Sequence, residues 1–169
     1  MAELLLEVSG PRLGSTTFRR KLEQFGEFLS IGELFNPTQL AHCDHVETLL
    51  SMGQRLGYSV GDNGVEFRRW AKEAPIEAIR VSLEATRSQN RSWAVVKLTL
   101  GHLSSPQIAK IIKTYHPKGV LLIRTPIDQH ISRQKALHIG SWRSVDTTCL
   151  RPKIYAKDFR ASRLRQQNH

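Results

Sequence analysis

Leu4-Leu5-Leu6-Glu7-Val8-Ser9-Gly10-Pro11-Arg12-Leu13-Gly14-Ser15-Thr16-Thr17 is the stretch on which the fold class of this chain turns. Leu4–Val8 is a short apolar run of the length a buried parallel strand needs, and Ser9-Gly10-Pro11 ends it as a turn. From Ser15 a helical pattern begins, with Phe18, Leu22 and Phe25 at roughly helical spacing and Gly26 as its stop. Strand, small-residue turn and helix in that order open a βαβ unit, and the alternation continues. Phe28–Ile31 predicts a second strand. Asn36-Pro37-Thr38 reads as the entry to a helix that carries Leu40, Val46, Leu49, Leu50 and Leu56 and ends near Gly57. A turn at Asp62-Asn63-Gly64 leads into helical patterns over Val65–Lys72 and Pro75–Arg87. Trp93–Leu100 predicts a buried strand. Ser105-Pro106 opens a helix with Ser as its cap and Ile108, Ile111, Ile112 and Tyr115 as its core face. Val120–Ile123 is the clearest strand, and Arg124-Thr125-Pro126 turns into a helix over about Ile127–His138. The expected fold is therefore three-layer α/β with a mainly parallel sheet. Ligands of such sheets bind beyond the carboxyl ends of the strands. The turns at Gly10–Ser15 and Arg124–Pro126 should then share one edge.

Composition narrows the class before chemistry does. The 169 residues are 40% apolar and 24% charged, and mean hydropathy is −0.35, the profile of a globular domain. No apolar stretch reaches the roughly 18 residues that cross a bilayer. Met1–Val8 has neither the basic start nor the cleavage site of a signal peptide. Cys43 and Cys149 lack ligand spacing, so no metal site and a cytoplasmic location are expected. Lys and Arg outnumber Asp and Glu by 25 to 15, giving +10. Up to Leu150 there are 19 basic and 14 acidic residues, and after it 6 and 1, so the last stretch is far denser in charge. This divides the chain into a domain at 1–150 and a basic tail at 151–169. An anionic partner follows from the charge: a nucleic acid, an acidic membrane met by the tail, or a polyanionic small molecule. With aromatics at 7% and no helix-turn-helix, RNA-binding or zinc-finger signature, a nucleic-acid partner is not expected.

Ser9–Thr17 has the parts of a P-loop-like phosphate-binding loop. Small residues let the backbone wrap an anion, and a helix start supplies free N–H groups and a positive dipole end. Arg12 adds a charged donor, Gly14 the bend, and Ser15, Thr16 and Thr17 add hydroxyls. An ATPase loop needs GxxxxGK[ST]; here three residues separate the glycines and Ser15 stands where the Lys would be. An ordinary glycine turn capped by Ser15 is the plain alternative. Arg124 ends the strongest predicted strand, and Ser132 lies eight positions on, about two helical turns later. An Arg fork and a hydroxyl suit a second phosphate. An Arg124–Asp128 surface pair with a solvated Ser132 is the alternative there.

GPRLGSTTF after an N-terminal strand, followed by VLLIRTPIDQHIS, resembles the two nucleotide-binding signatures of sulfotransferases that use 3′-phosphoadenosine-5′-phosphosulfate (PAPS). Pro11, Arg12, Gly14, Ser15 and Thr16 match the family's 5′-phosphosulfate loop, with Leu13 in place of its usual Ser. Arg124 and Ser132 match its 3′-phosphate signature in type and spacing. GELFNP at Gly32–Pro37 is similar to bacterial carbohydrate sulfotransferases of the nodulation-factor and trehalose types. The resemblance covers about Leu4–Trp142 and implies sulfuryl transfer from PAPS, without metal, to a hydroxyl acceptor such as a glycan. By the same resemblance Glu33 is the first candidate for the base and His102 the second, while Lys97, on the predicted strand before His102, is placed to stabilise the leaving group. A solvated Glu33, a surface His102 and a strand-edge Lys97 are the bland readings. His42 and His45, three apart on a predicted helix, read as helix surface, and Trp142 as an adenine stack or core filler. Nothing after Trp142 matches the family, so a domain that binds the nucleotide without transfer stays open. So, less strongly, does a basic nucleic-acid-binding protein.

Overall fold

The computed structural model describes residues 2–10, 13–36, 44–99 and 101–140. Among them the order is β1 (Glu3–Val8), α1 (Ser15–Glu23), β2 (Phe28–Gly32), α2 (Val46–Arg55), α3 (Gly64–Glu73), α4 (Pro75–Ser88), β3 (Trp93–Leu98), α5 (Ser105–Tyr115), β4 (Lys118–Leu121) and α6 (Pro126–Ile139). The four strands form one sheet in the order β2-β3-β1-β4, and every pairing is parallel. The expected α/β fold with a parallel sheet is what the chain adopts.

Strand order and the right-handed rule for crossovers fix where the helices lie. From β1 the chain passes through α1 to β2, leaving β1 in one direction. From β2 through α2–α4 to β3, and from β3 through α5 to β4, it travels in the other. Connections that run in opposite directions cover opposite faces of the sheet. Side chains agree. Leu4, Leu6, Leu29, Ala94, Val96 and Leu98 share a core with Leu49, Phe67, Ala78, Ile79 and Ile111 of α2–α5. The other face carries Leu5, Glu7, Ser30, Val95 and Lys97, and there α1 delivers Arg19, whose Nη1 donates to Ser30 Oγ at 2.9 Å.

Local chemistry sets the boundaries. Asn63, expected in a turn, is the N-cap of α3 and accepts from the amides of Val65 and Glu66. Pro106 sits in the first turn of α5, whose cap is Ser104, one residue earlier than the sequence predicts. Four expectations are corrected. Asn36, Asp44 and His45 are not helical, and α2 starts at Val46. Phe25 is 72% exposed because α1 stops at Glu23. Ile112 is half exposed, since α5 turns Ile111 and Tyr115 inward instead. β4 is Lys118–Leu121, where register with Leu5–Val8 of β1 sets it, and Leu121 and Ile123 are exposed. Pro11, Arg12, the 37–43 stretch with His42, Leu100 and 141–169 with Trp142 and the basic tail lie outside the described residues.

One close approach tests this packing. Gly53 in α2 lies against Val60, and a Cβ added there would fall 2.5 Å from Val60 Cγ1. Gly53→Ala should therefore lower stability by about 1–3 kcal/mol, because overpacking outweighs alanine's helix propensity of about 1 kcal/mol. Urea unfolding checks this. Adding Val60→Ala to Gly53→Ala should recover part of the loss, a non-additivity that independent sites would not show.

Candidate functional site

β1 and β3 are neighbours whose connections leave over opposite faces of the sheet. The crevice beyond their carboxyl ends is the switch point at which open parallel sheets bind ligands. The chain places most of its buried charge there. Glu7 of β1 is fully buried and stands opposite Lys97 of β3 in the ladder. Parallel partners in register point to the same face, so the carboxylate and the ammonium are cross-strand neighbours.

A bulge brings in the third charge. Ser30 pairs with Val95, but Gly32 rather than Ile31 pairs with Val96. The extra residue re-aims the side chains beyond it. Without it Glu33 would fall opposite Leu98, on the apolar face. With it Glu33 comes opposite Lys97, and Lys97 Nζ donates to Glu33 Oε1 at 2.5 Å. Glu33 Oε2 accepts from Asn36 Nδ2 at 2.6 Å. Both partners of the ion pair are about nine-tenths buried.

α1 closes the array on its face. Arg19 is buried, with Nε 3.5 Å from Glu7 Oε2 and Nη1 3.1 Å from Asp44 Oδ2. Ser9, the first residue of the β1 turn, donates from Oγ to Glu7 Oε1 at 2.6 Å. Burial is the largest influence on Glu7 and pushes its carboxyl above the usual value, against the opposing pull of Ser9, Arg19 and Lys97. His102, after β3, feels the charges of Glu33, Lys97 and Lys72. Burial is again the largest influence and pushes its imidazole below 6.5, so it is neutral at pH 7. Its Nδ1 is buried without a hydrogen-bond partner.

Glu33 and Lys97 are thus brought together in a hydrogen bond, and His102 lies within electrostatic reach of both. The phosphate-loop candidates lie on the same edge. Gly14 is exposed and left-handed, at φ 91°, and starts α1 without a side-chain cap. Ser15 is buried, Thr16 half-buried and Thr17 exposed in the first turn, and Arg12 is outside the described residues. β4 adjoins β1, and the Leu122 amide donates to the Val8 carbonyl, so the connection holding Arg124 leaves beside the β1 turn. Arg124 itself is exposed three residues past β4, and Ser132 is half-buried in the second turn of α6. His45 precedes α2 in a left-handed conformation, 3.8 Å from Glu23 Oε1. No group of three His, Cys, Asp or Glu among the described residues is arranged to hold a metal. No helix among them is long and apolar enough to cross a membrane.

Glu7 and Arg19 were not legible as members of this buried cluster. The available signal was the charge inside two apolar runs: a Glu in Leu4–Val8 and a Lys in Trp93–Leu100 each need a buried partner. No protein-family model matches the chain, and no curated protein matches it.

The raised Glu7 carboxyl fixes the sign of a pH effect. Between the ordinary value of 4.5 and its higher folded value, the folded state binds more protons than the unfolded one. The stability Glu7 contributes is therefore full below 4.5 and is lost as pH rises through the folded value. Glu7→Gln keeps an acceptor for Ser9 and removes the titration. Urea midpoints across pH 4–8 should show the variant gaining on the wild type as pH rises; parallel curves would place the Glu7 carboxyl at its ordinary value.

Proposed function

We propose that this chain is a sulfotransferase: it binds PAPS at the carboxyl edge of its sheet and transfers the sulfuryl group to a hydroxyl acceptor, a glycan by resemblance. The observation that carries this reading is the meeting of a buried Lys97–Glu33 pair with a neutral His102 at the switch point, beside a helix start that no side chain caps. Such an edge offers directed N–H donors, a proton acceptor and low dielectric at one place, which is what an in-line transfer between oxygens requires.

In this reading the β1 turn is the phosphate-binding loop. Arg12, the Gly14 bend and the amides and hydroxyls of Ser15, Thr16 and Thr17 hold the 5′-phosphosulfate. Arg124 and Ser132 hold the 3′-phosphate from the neighbouring strand's connection. Adjacent strands lie about 5 Å apart, and β4 is next to β1, so both anions of one nucleotide can be reached without crossing the acceptor side. The acceptor oxygen attacks sulfur, the S–O bond to the nucleotide phosphate breaks, and that phosphate leaves with the electron pair. Lys97 stabilises the oxygens that gain charge.

The acceptor's proton needs a base. The resemblance ranks Glu33 ahead of His102, whereas the geometry favours the reverse. Both Glu33 oxygens already accept, from Lys97 and Asn36, so its role is to orient Lys97. His102 is neutral with a ring nitrogen unengaged. A domain that binds the nucleotide and transfers nothing is the second reading, and turnover decides between the two.

Adenosine 3′,5′-bisphosphate should stabilise the chain against heat, by roughly 2.7 kcal/mol at about 100 times its dissociation constant. AMP should do so far less, because Arg124 and Ser132 need the 3′-phosphate. Arg124→Ala should weaken the bisphosphate roughly 10- to 100-fold and leave AMP unchanged. Equal stabilisation by both nucleotides sinks the assignment.

His102→Ala should cut sulfuryl transfer from PAPS to a sugar by about 10²–10⁴, with nucleotide affinity within a few-fold. If Glu33→Gln falls that far and His102→Ala does not, Glu33 is the base. Tight bisphosphate binding with no transfer by the wild type to any of a panel of hydroxyl acceptors replaces the enzyme by the binding domain.

A further inference from the structure

Among the described residues, four buried side-chain atoms at the crevice make no hydrogen bond: Glu7 Oε2 and Arg19 Nε, which face each other as an ion pair at 3.5 Å, and Thr99 Oγ1 and His102 Nδ1, which have no such partner and belong to one turn. Thr99 Oγ1 and His102 Nδ1 are inaccessible to solvent and unpaired. The His102 amide donates to the Thr99 carbonyl at 3.1 Å, and Gly101 sits at φ +86°. A glycine with positive φ just before the closing residue is what a tight turn of this kind needs, and it brings residues three apart within about 7 Å. The turn follows directly on Lys97 and Leu98 of β3, and Lys97 and Glu33 act electrostatically on the His102 ring.

Buried hydroxyls and imidazoles in folded proteins nearly always find partners. A turn that holds one of each, unpaired, beside a buried ion pair is built for something that arrives. We infer that Thr99 Oγ1 and His102 Nδ1 form the seat of the acceptor hydroxyl, with Thr99 as the residue that selects oxygen nucleophiles. This rests on the sulfotransferase reading, and it adds to it a residue and the reason for preferring a hydroxyl over an amine.

Selection follows from counting protons and lone pairs. An alcohol has one O–H and two lone pairs on oxygen. Its proton is donated to His102 Nδ1, the imidazole carrying its own proton on Nε2. One lone pair accepts from the Thr99 hydroxyl, and the other attacks sulfur. As the new S–O bond forms, the proton passes to Nδ1, and the bond from sulfur to the nucleotide phosphate oxygen breaks with its electron pair. Nothing is left unsatisfied. A neutral amine has a single lone pair, which the attack consumes, so Thr99 would face it with no acceptor. Thr99 therefore favours sulfation at oxygen over sulfation at nitrogen.

Thr99→Val is the test, because it keeps the branched shape and removes only the hydroxyl; Thr99→Ser restores it. The first measurement needs no activity. A hydroxyl waiting for ligand contributes nothing to the free chain, so Thr99→Val should unfold at the same or a higher urea concentration than the wild type. A clear drop would mean that the hydroxyl is bonded within the fold, which overturns the inference. The second is transfer from PAPS to a sugar. KM for the sugar should rise roughly three- to tenfold in Thr99→Val and return in Thr99→Ser, with the dissociation constant of adenosine 3′,5′-bisphosphate unchanged. Unchanged KM in Thr99→Val overturns the inference while the enzyme stands. If no nucleotide binds, the sulfotransferase reading fails, and the ¹⁵N resonance of His102 Nδ1 titrated with methyl α-glucoside still decides the seat. A shift in the wild type that is absent in Thr99→Val supports it; no shift at any concentration overturns it.

Discussion

The ammonium of Lys97 lies buried at the end of β3 with a carboxylate on each neighbouring strand, and the arrangement around it follows from that placement. A lysine at such depth carries a desolvation penalty that only close, well-directed acceptors offset. Glu33 supplies the direct contact, and Glu7 faces it from the register of β1. Glu7 then needs a cation of its own, which Arg19 delivers from α1. Arg19 in turn binds Ser30 of β2 and Asp44. One buried charge thus ties three strands and the helix that follows the β1 turn into a single electrostatic unit. Buried ion pairs are weak contributors to stability compared with apolar packing of the same volume, while removing one partner alone costs about 3–5 kcal/mol. A fold gains little by building such a chain for stability alone. Its position at the switch point of the sheet is where the proposed transfer would use it.

How much of this was legible depends on which physical signal carried each part. β1, β2 and β3 were readable because buried parallel strands are continuous apolar runs, and α3, α4 and α6 because capping residues and prolines mark their starts. β4 was displaced by two residues for a definite reason. As an edge strand it is held by one neighbour, so its extent follows hydrogen-bond register with Leu5–Val8 and not its own hydrophobicity. Phe25 and Ile112 misled in the same way: periodicity says which residues share a face, not whether another element arrives to cover it.

The site was half legible. Glu33 and His102 were candidates from resemblance and Lys97 from its predicted strand, but nothing in the sequence announces the bulge at Ser30–Gly32. Sheet alternation alone would put Glu33 on the face opposite Lys97. One inserted residue reverses that, which is why two charged residues 64 positions apart meet in a single hydrogen bond. The partner of Glu7 was equally hidden, because Arg19 sits in a helix whose basic residues, Arg19, Arg20 and Lys21, look alike in sequence. Only the turn geometry after β1 decides which of them points at the sheet.

The same logic separates the two halves of the edge. On the side of β2 and β3, charge is buried and internally balanced: Lys97 with Glu33, Arg19 with Glu7. A ligand there meets directed donors and acceptors rather than net charge. On the side of β4, Arg124 is exposed and sits in a connection that leaves beside the β1 turn. An exposed cation attracts an anion at long range but fixes it loosely, since solvent and salt screen it. A buried, balanced pair attracts little at distance but holds geometry closely once water is excluded. A polyanion with one reactive end and one inert end would be captured by the exposed side and aligned by the buried one. The sulfotransferase reading proposed above needs such a division, because its nucleotide's 3′-phosphate would serve only to anchor it and its 5′ end would carry the group to be moved.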